Sequence, residues 1–357
     1  MLTGVKIKNF RSIKNETEIS FLSTDAFHLE ENAFQGVLKG ASFFGGNASG
    51  KSSMLQSIAF LRHLLFDREF PDIEENFCLF SNDRDMRLEY TFRIEGKKII
   101  YALSFYKKSD RISEMFQIED RVFIDTESGI RLLSDEGSNS RPFFRSHRQF
   151  SDPTIDAWLR FLAHSVEIHS VGNISLRINE SDGKRYLDEY LKTRGTERLN
   201  DFLKRLHLSI RLCFHEGEID MFRNGLSRAI PFEKESLGIQ TLLILLPAIF
   251  SLEDDSGMLI IDEFNSSFHN KLEETLIRHM MMTFRTSQIF FASHSTNLMK
   301  SSLLRADQLF VTEFSEEGTV FRRISDFHPR DSQNLERMYL AGVFGGMPDI
   351  GEEDENL

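Results

Sequence analysis

Residues Gly45–Ser53 read "GGNASGKSS" and lie between an apolar run, "VLKGASFF" (37–44), and "MLQSIAFLRHLLF" (54–66), whose apolar residues recur at helical spacing. Gly45-x4-Gly50-Lys51-Ser52 is the phosphate-loop pattern. Its glycines let successive backbone N–H groups turn inward, the lysine reaches the β and γ phosphates, and the serine hydroxyl ligates Mg²⁺. The strand before it and the helix after it bring a helix N-terminus, with its partial positive charge, to the same anion. The candidate nucleotide-binding residues are therefore Gly45, Asn47, Ala48, Ser49, Gly50, Lys51, Ser52 and Ser53, with ATP and Mg²⁺ as expected cofactors.

Two further stretches supply chemistry. "MLIIDEF" (258–264) is an apolar strand ending in two acids. Asp262 is placed to hold Mg²⁺, directly or through water, and Glu263 to polarise the water that attacks the γ-phosphate. Such a pair could also be an ordinary solvated turn. With a phosphate loop in the same chain, the catalytic reading is preferred, because acids at the end of a buried strand are costly unless used. "IFFASHS" (289–295) ends a second apolar strand at His294. A lone histidine there is commonly a filler. Its place just after the acid-bearing strand and its helix makes it a candidate catalytic residue beside Glu263 and Lys51.

The 357 residues are 40% hydrophobic, ample for a buried core. No apolar run approaches the roughly 20 residues that span a bilayer, and "MLTGVKIKNF" lacks the features of a signal peptide. A cytoplasmic chain without a membrane partner is expected. Cys78 and Cys213 are too few for a disulfide framework or a zinc site. The balance of 43 Lys and Arg against 55 Asp and Glu gives a net charge of -12, so nucleic acid could be held only by a local patch. The densest is "RPFFRSHRQF" (141–150), where Arg141, Arg145 and Arg148 interleave with Phe143, Phe144 and Phe150. A solvated loop or a protein-contact surface suits the same residues.

The layout is α/β. "GVKIKNFRSI" (4–13) and "ETEISFL" (16–22) alternate as half-buried strands, and residues 87–106 read as a hairpin turning at Glu95-Gly96, which predicts an antiparallel sheet beside the phosphate loop. From Pro153 to about Leu206 the pattern is helical and suggests an inserted lobe. "IRLCFHE" (210–216) and "EIDMFR" (218–223) read as strands, "LGIQTLLILLPAIFSL" (237–252) as an apolar helix, and "QIFFAS" and "DQLFVTEF" as buried strands. The expected divisions are 1–150, a first part of the nucleotide-binding head; 151–231, a helical insertion; and 232–357, the second part of the head.

This order of pieces resembles the ABC-type ATPase heads of the SMC and RecF families, a phosphate-loop NTPase fold with an antiparallel β-subdomain and an inserted helical lobe. The resemblance implies that Arg11 in "IKNFRSI" approaches the nucleotide phosphates. It also implies that Ser236 and Gly238 in "ESLGIQTL" form the signature motif, which addresses ATP held by a second, opposed copy. "NSSFH" (265–269) would be the D-loop at the dimer seam. More narrowly, "IKNFRSIKN", the Glu-Ser-x-Gly signature and "YLAGVFGGMPDI" are similar to the OLD-like and RecF-like ATPases of bacterial antiphage systems, the class that includes the ATPase subunits of retron, Septu and PARIS defence. That likeness implies a dimer or higher oligomer with ATP sandwiched between heads, controlling a separate nuclease or toxin. Ile239 departs from the signature, the Q-loop has no better candidate than Gln117, and no heptad arm separates the nucleotide motifs. Two other functions fit the motifs: a low-turnover ATP-bound scaffold or sensor, and a DNA repair or maintenance ATPase of the RecF and SMC class. A transporter nucleotide-binding domain suits the N-terminal strand and the insertion poorly. Glu263 favours turnover, since a scaffold needs no general base.

Overall fold

A computed structural model describes the chain except residues 25–27, 110, 132–140, 148–149, 172, 177–182, 216, 265–267, 331 and 348–357, and except the side chains of 130–131, 169–171 and 173–176. Two seven-stranded sheets dominate the described residues. The first is antiparallel, in the order β10-β9-β8-β7-β6-β1-β2. Its strands are β1 (Leu2–Lys8), β2 (Thr17–Ser20), β6 (Asp85–Ile94), β7 (Lys97–Tyr106), β8 (Ile112–Ile118), β9 (Arg121–Asp125) and β10 (Ile130–Arg131). The hairpin expected at Glu95-Gly96 is present. Both residues take positive φ, 50° and 81°, which matches the right-handed twist of the strands they join.

The second sheet is mixed, in the order β12-β11-β16-β17-β5-β18-β19. It contains β5 (Gly40–Phe44), β11 (Val166–Val171), β12 (Asn173–Leu176), β16 (Met258–Asp262), β17 (Gln288–Ala292), β18 (Leu309–Ser315) and β19 (Gly318–Arg323). β11, β16, β17, β5 and β18 run parallel, and β12 and β19 fold back at the edges. This sheet is covered on both faces, which is why its strands read as unbroken apolar runs. Met258, Ile260, Phe290, Ala292, Ala41, Phe43 and Phe310 face one core, shared with the antiparallel sheet, α1 (Lys51–Phe66) and α3 (Pro153–Ala163). Leu259, Ile261, Ile289, Phe291, Phe44 and Val311 alternate into the other core. There they meet α4 (Gly183–Arg194), α5 (Glu197–Arg205), α6 (Leu237–Asp254) and α7 (Asn270–Thr283). α6 is apolar enough to suggest a membrane span by composition, yet Leu242–Leu246 and Ala248–Phe250 are buried in this core. A small sheet of β13 (Ile210–His215), β14 (Glu218–Arg223) and β15 (Ile230–Pro231), a two-stranded ribbon of β3 (Ala33–Phe34) and β4 (Val37–Leu38), and the short helices α2 (Phe143–Ser146) and α8 (Leu335–Leu340) complete the chain.

Two expectations change. Residues 153–206 are not a lobe of helices alone: α3 is part of the first core, and β11 is hydrogen-bonded to β16 in the mixed sheet. The strand escaped notice because it is short and flanked by helical pattern. The Arg and Phe stretch is not a stacking patch. Phe144 is fully buried, with its ring centroid 4.6 Å from Phe116, 5.2 Å from Trp158 and 5.7 Å from Tyr101. Arg145 donates to the carbonyls of Leu64 (2.7 Å), Asp67 (2.9 Å) and Arg68 (3.2 Å), closing the C-terminus of α1. Arg141 lies over the Phe70 ring, and Arg148 falls outside the described residues. An apolar side chain gains more by entering a core than by waiting on the surface for a base, and the arginine satisfies helix carbonyls that would otherwise lack partners.

Candidate active site

The carboxyl ends of β5, β17 and β16 open at one edge of the mixed sheet. Ligands of open α/β sheets bind at such an edge. β5 leads through Gly45–Gly50 into α1, β16 ends at Asp262, and β17 leads to His294; in register, Ile261 pairs with Phe291 and Ala292 with Phe43. The phosphate-loop motif, the acid pair and the histidine therefore come from neighbouring strands.

The loop is held from outside by residues that sequence reading missed. A Cβ on Gly45 would sit 2.4 Å from the Thr312 carbonyl oxygen, and one on Gly50 would sit 2.1 Å from Thr319 Oγ1. Both glycines are required by this close approach as well as by their positive φ. Thr312, fully buried on β18, shares a hydrogen bond with Ser49 Oγ (2.6 Å) and donates to the Phe44 carbonyl (3.1 Å). On the other side Thr319 donates to Ser12 Oγ, and Ser12 to Ser53 Oγ, each at 2.7 Å. Arg11, exposed and with φ of 52°, directly precedes Ser12. A threonine following the buried apolar run "LFV" (309–311) was the available signal for Thr312.

Lys51 is 7% exposed, and its Nζ donates to the carbonyls of Gly45 (3.0 Å) and Gly46 (2.8 Å). Burial pulls its pKa below the ordinary lysine value, and the negative charges of Asp262 and Glu263 work against that. The imidazole of His294 is lowered as well, first by burial and then by the Lys51 charge, with Asp262 opposing. Lys51 thus feels the charges of Asp262 and Glu263, and His294 those of Lys51 and Asp262, which places these side chains near one another. Glu263 sits at φ 55°, and its N–H donates to the Asp262 carboxylate at 3.1 Å. Left-handed backbone is strained for a non-glycine residue and here turns the chain sharply off the strand tip.

Ser52 is exposed on the first turn of α1, and Asp262 is half-buried at the same sheet edge. Among the described residues no cluster of three His, Cys, Asp or Glu side chains makes a metal cage. A hydroxyl and a single carboxylate fit Mg²⁺ that arrives with phosphate oxygens and keeps its waters. Asn47 and Ala48 are exposed on the loop, Ala48 at φ 59°.

Ser236 and Gly238 are not gathered with these residues. They open α6, which packs on the opposite core, and Ser236 and Leu237 face solvent. The start of that helix is fixed by Glu235, a buried carboxylate bonded by Arg223 and by the Ser236 N–H. Within the expected D-loop, Phe268 packs against the second core and the His269 side chain caps α7, while residues 265–267 fall outside the described residues. Gln117 lies on β8 of the antiparallel sheet with its amide donating to the Glu119 carbonyl. It is not joined to the loop.

The fold is that of ABC-type ATPase heads. The sequence profile of the family described as "AAA domain, putative AbiEii toxin, Type IV TA system" matches residues 41–300, and the chain belongs to that family. The fold is similar to three solved structures. The SMC head domain from Thermotoga maritima has a TM-score of 0.51 and 15% identity, over 90% of this chain and 98% of that one. An SmcHead bound to the C-winged helix domain of ScpA has a TM-score of 0.54 and 12% identity, over 92% and 99%. An Smc head with an extended coiled coil, bound to the C-terminal domain of ScpA derived from Pyrococcus furiosus, has a TM-score of 0.52 and 11% identity, over 92% and 98%. No curated protein matches the chain.

Proposed function

We propose that the chain binds ATP with Mg²⁺ and hydrolyses it. Lys51 and the loop amides hold the β and γ phosphates, and Ser52 and Asp262 carry the ion, which neutralises phosphate charge when bound. Glu263 accepts the proton of the attacking water, and His294 hydrogen-bonds at the γ-phosphate. The observation that carries this reading is the convergence of Lys51, Asp262, Glu263 and His294 at the ends of neighbouring strands. Steady-state phosphate release tests it: wild-type chain should turn over ATP, and Glu263→Gln should bind without turning over. Equal rates would leave the scaffold reading.

Beyond hydrolysis, we read residues 1–150 and 232–357 as two parts of one head, to whose first core and mixed sheet α3 and β11 of the segment between them also belong. Ser236 is exposed and Gly238 half-buried at the start of α6, where a second copy could present them to bound ATP. The resemblance to antiphage ATPases supports a cytoplasmic oligomer whose nucleotide cycle controls a separate nuclease or toxin. Co-purification from the native operon tests the partner; a chain that purifies alone and cuts nucleic acid unaided overturns the division of labour. The likeness to SMC heads favours a second reading, a DNA-maintenance ATPase. Its mark would be ATP-dependent DNA binding that weakens steeply with salt.

A further inference from the structure

The segment after β19 reaches the site loops from the core that α6 and α7 share. Asn334 caps α8 by accepting from the Arg337 N–H at 3.0 Å, and Leu335, Tyr339 and Phe344 are buried in the second core. Two polar contacts then leave this segment for the nucleotide edge. The Gly46 N–H donates to the Gly346 carbonyl at 3.1 Å, and Tyr339 Oη donates to the same oxygen at 3.4 Å. The Thr296 hydroxyl, two residues past His294, donates to the Glu336 carboxylate at 2.8 Å. Gly46 is also the residue whose carbonyl accepts from Lys51 Nζ. A cleft of about 450 Å³ lies between the parts, lined by Gly45, Asn47 and His294 on one side and by Tyr339, Leu340 and Met347 on the other.

We propose that residues 334–347 are a positioning strap, which sets the spacing between the phosphate loop and His294 and so responds to nucleotide. The inference rests on the ATP-binding reading of the site. The two loops follow different strands and meet in this one segment. A strap present only to fill the core would need Tyr339 and Phe344, but neither the bond to Gly46 nor the bond to Thr296. Displacing either contact by an ångström shifts a phosphate-binding amide or the imidazole, and misplacement on that scale costs on the order of a hundredfold in rate where geometry is decisive.

Hydrogen exchange on the full chain, with and without a non-hydrolysable ATP analogue and Mg²⁺, is the first test. Slower exchange is expected at 46–53 and also at 338–346. Protection at 46–53 with 338–346 unchanged overturns the strap and leaves ATP binding intact. No protection at 46–53 overturns the ATP-binding reading itself, and the strap with it. A rescue pair is the second test. Thr296→Val, which loses the donor, should lower kcat roughly tenfold while affinity for the analogue holds, and Thr296→Ser should restore it. Equal kcat in the two variants overturns the positioning of His294. Gly346→Ala would put a Cβ 2.2 Å from Val311 Cγ1 and 2.9 Å from the Thr312 carbonyl oxygen. Provided its melting stays cooperative, it should weaken analogue binding about tenfold, and unchanged affinity overturns the contact to Gly46.

Discussion

Helix α1 carries buried cations at both ends, and the protein treats the two ends in opposite ways. At the C-terminus, His63 lies 2.6 Å from Asp67 and 2.5 Å from Glu167, and Arg62 bonds Asp67 and the Ser165 carbonyl. Arg145 covers the last carbonyls. Burial alone would lower the His63 pKa. The hydrogen bonds and charges of Asp67 and Glu167 outweigh it and raise the pKa to about 9. Positive charge at a helix C-terminus is also favoured by the dipole. At the N-terminus, Lys51 stands against the dipole, bonded to two backbone carbonyls and depressed by burial. A cation placed where the fold disfavours it is kept for something the fold does not contain, and an anion with several oxygens fits. Compensation thus separates the structural end of the helix from the functional one.

The largest effect should come from Lys51→Ala. Equilibrium binding of a labelled ATP analogue is expected to be lost, because the charge-assisted contacts to phosphate go with the ammonium, while melting temperature holds or rises. Undiminished affinity would break the contrast at its functional end. Next, Glu263→Gln should keep ATP affinity and slow hydrolysis at least about a hundredfold, the scale of losing a positioned base. Hydrolysis at the wild-type rate would remove Glu263 from the chemistry.

At the other end of the helix, Arg145→Ala should lower stability by about 1–3 kcal/mol, the usual penalty for uncapped buried carbonyls, with nucleotide affinity unchanged in the folded fraction. Chemical denaturation reads the first and analogue binding the second. A selective loss of binding would mean that the structural end is not merely structural. The smallest effect concerns pH. The folded pKa of His63 lies above its unfolded value of 6.5, so its stabilisation is complete below about pH 6.5 and fades as pH rises through about 9. The stability gap between wild type and His63→Gln should narrow over that window, and a gap that widens with pH would contradict a charged histidine.

Much of this was legible from spacing. The phosphate loop announces itself because its function needs particular residues in unbroken succession, and the buried strands because both their faces are apolar. Asp262, Glu263 and His294 were readable as strand-end residues since each follows such a run directly. The Arg and Phe stretch stayed open between a nucleic-acid patch, a solvated loop and a contact surface because composition does not say which way a side chain points: Phe144 and Arg145 are neighbours, yet one enters a core and the other a helix terminus. Strand β11 hid in a stretch of helical pattern because its six residues carry too little pattern to outweigh their flanks.

The linear order of residues was enough to determine the phosphate-loop motif, the acid pair and the α/β layout, all of which depend on contacts or periodicities within a few residues. Only the tertiary structure decided what holds that loop in place. Thr312, Thr319 and the Gly346 carbonyl meet it from far along the chain, Thr312 lying 263 positions after Ser49, and Ser12 meets Ser53 from 41 positions before it. Hydroxyls and carbonyls of this kind have no motif of their own, because any residue type brought to the right place by the sheet register can supply the bond.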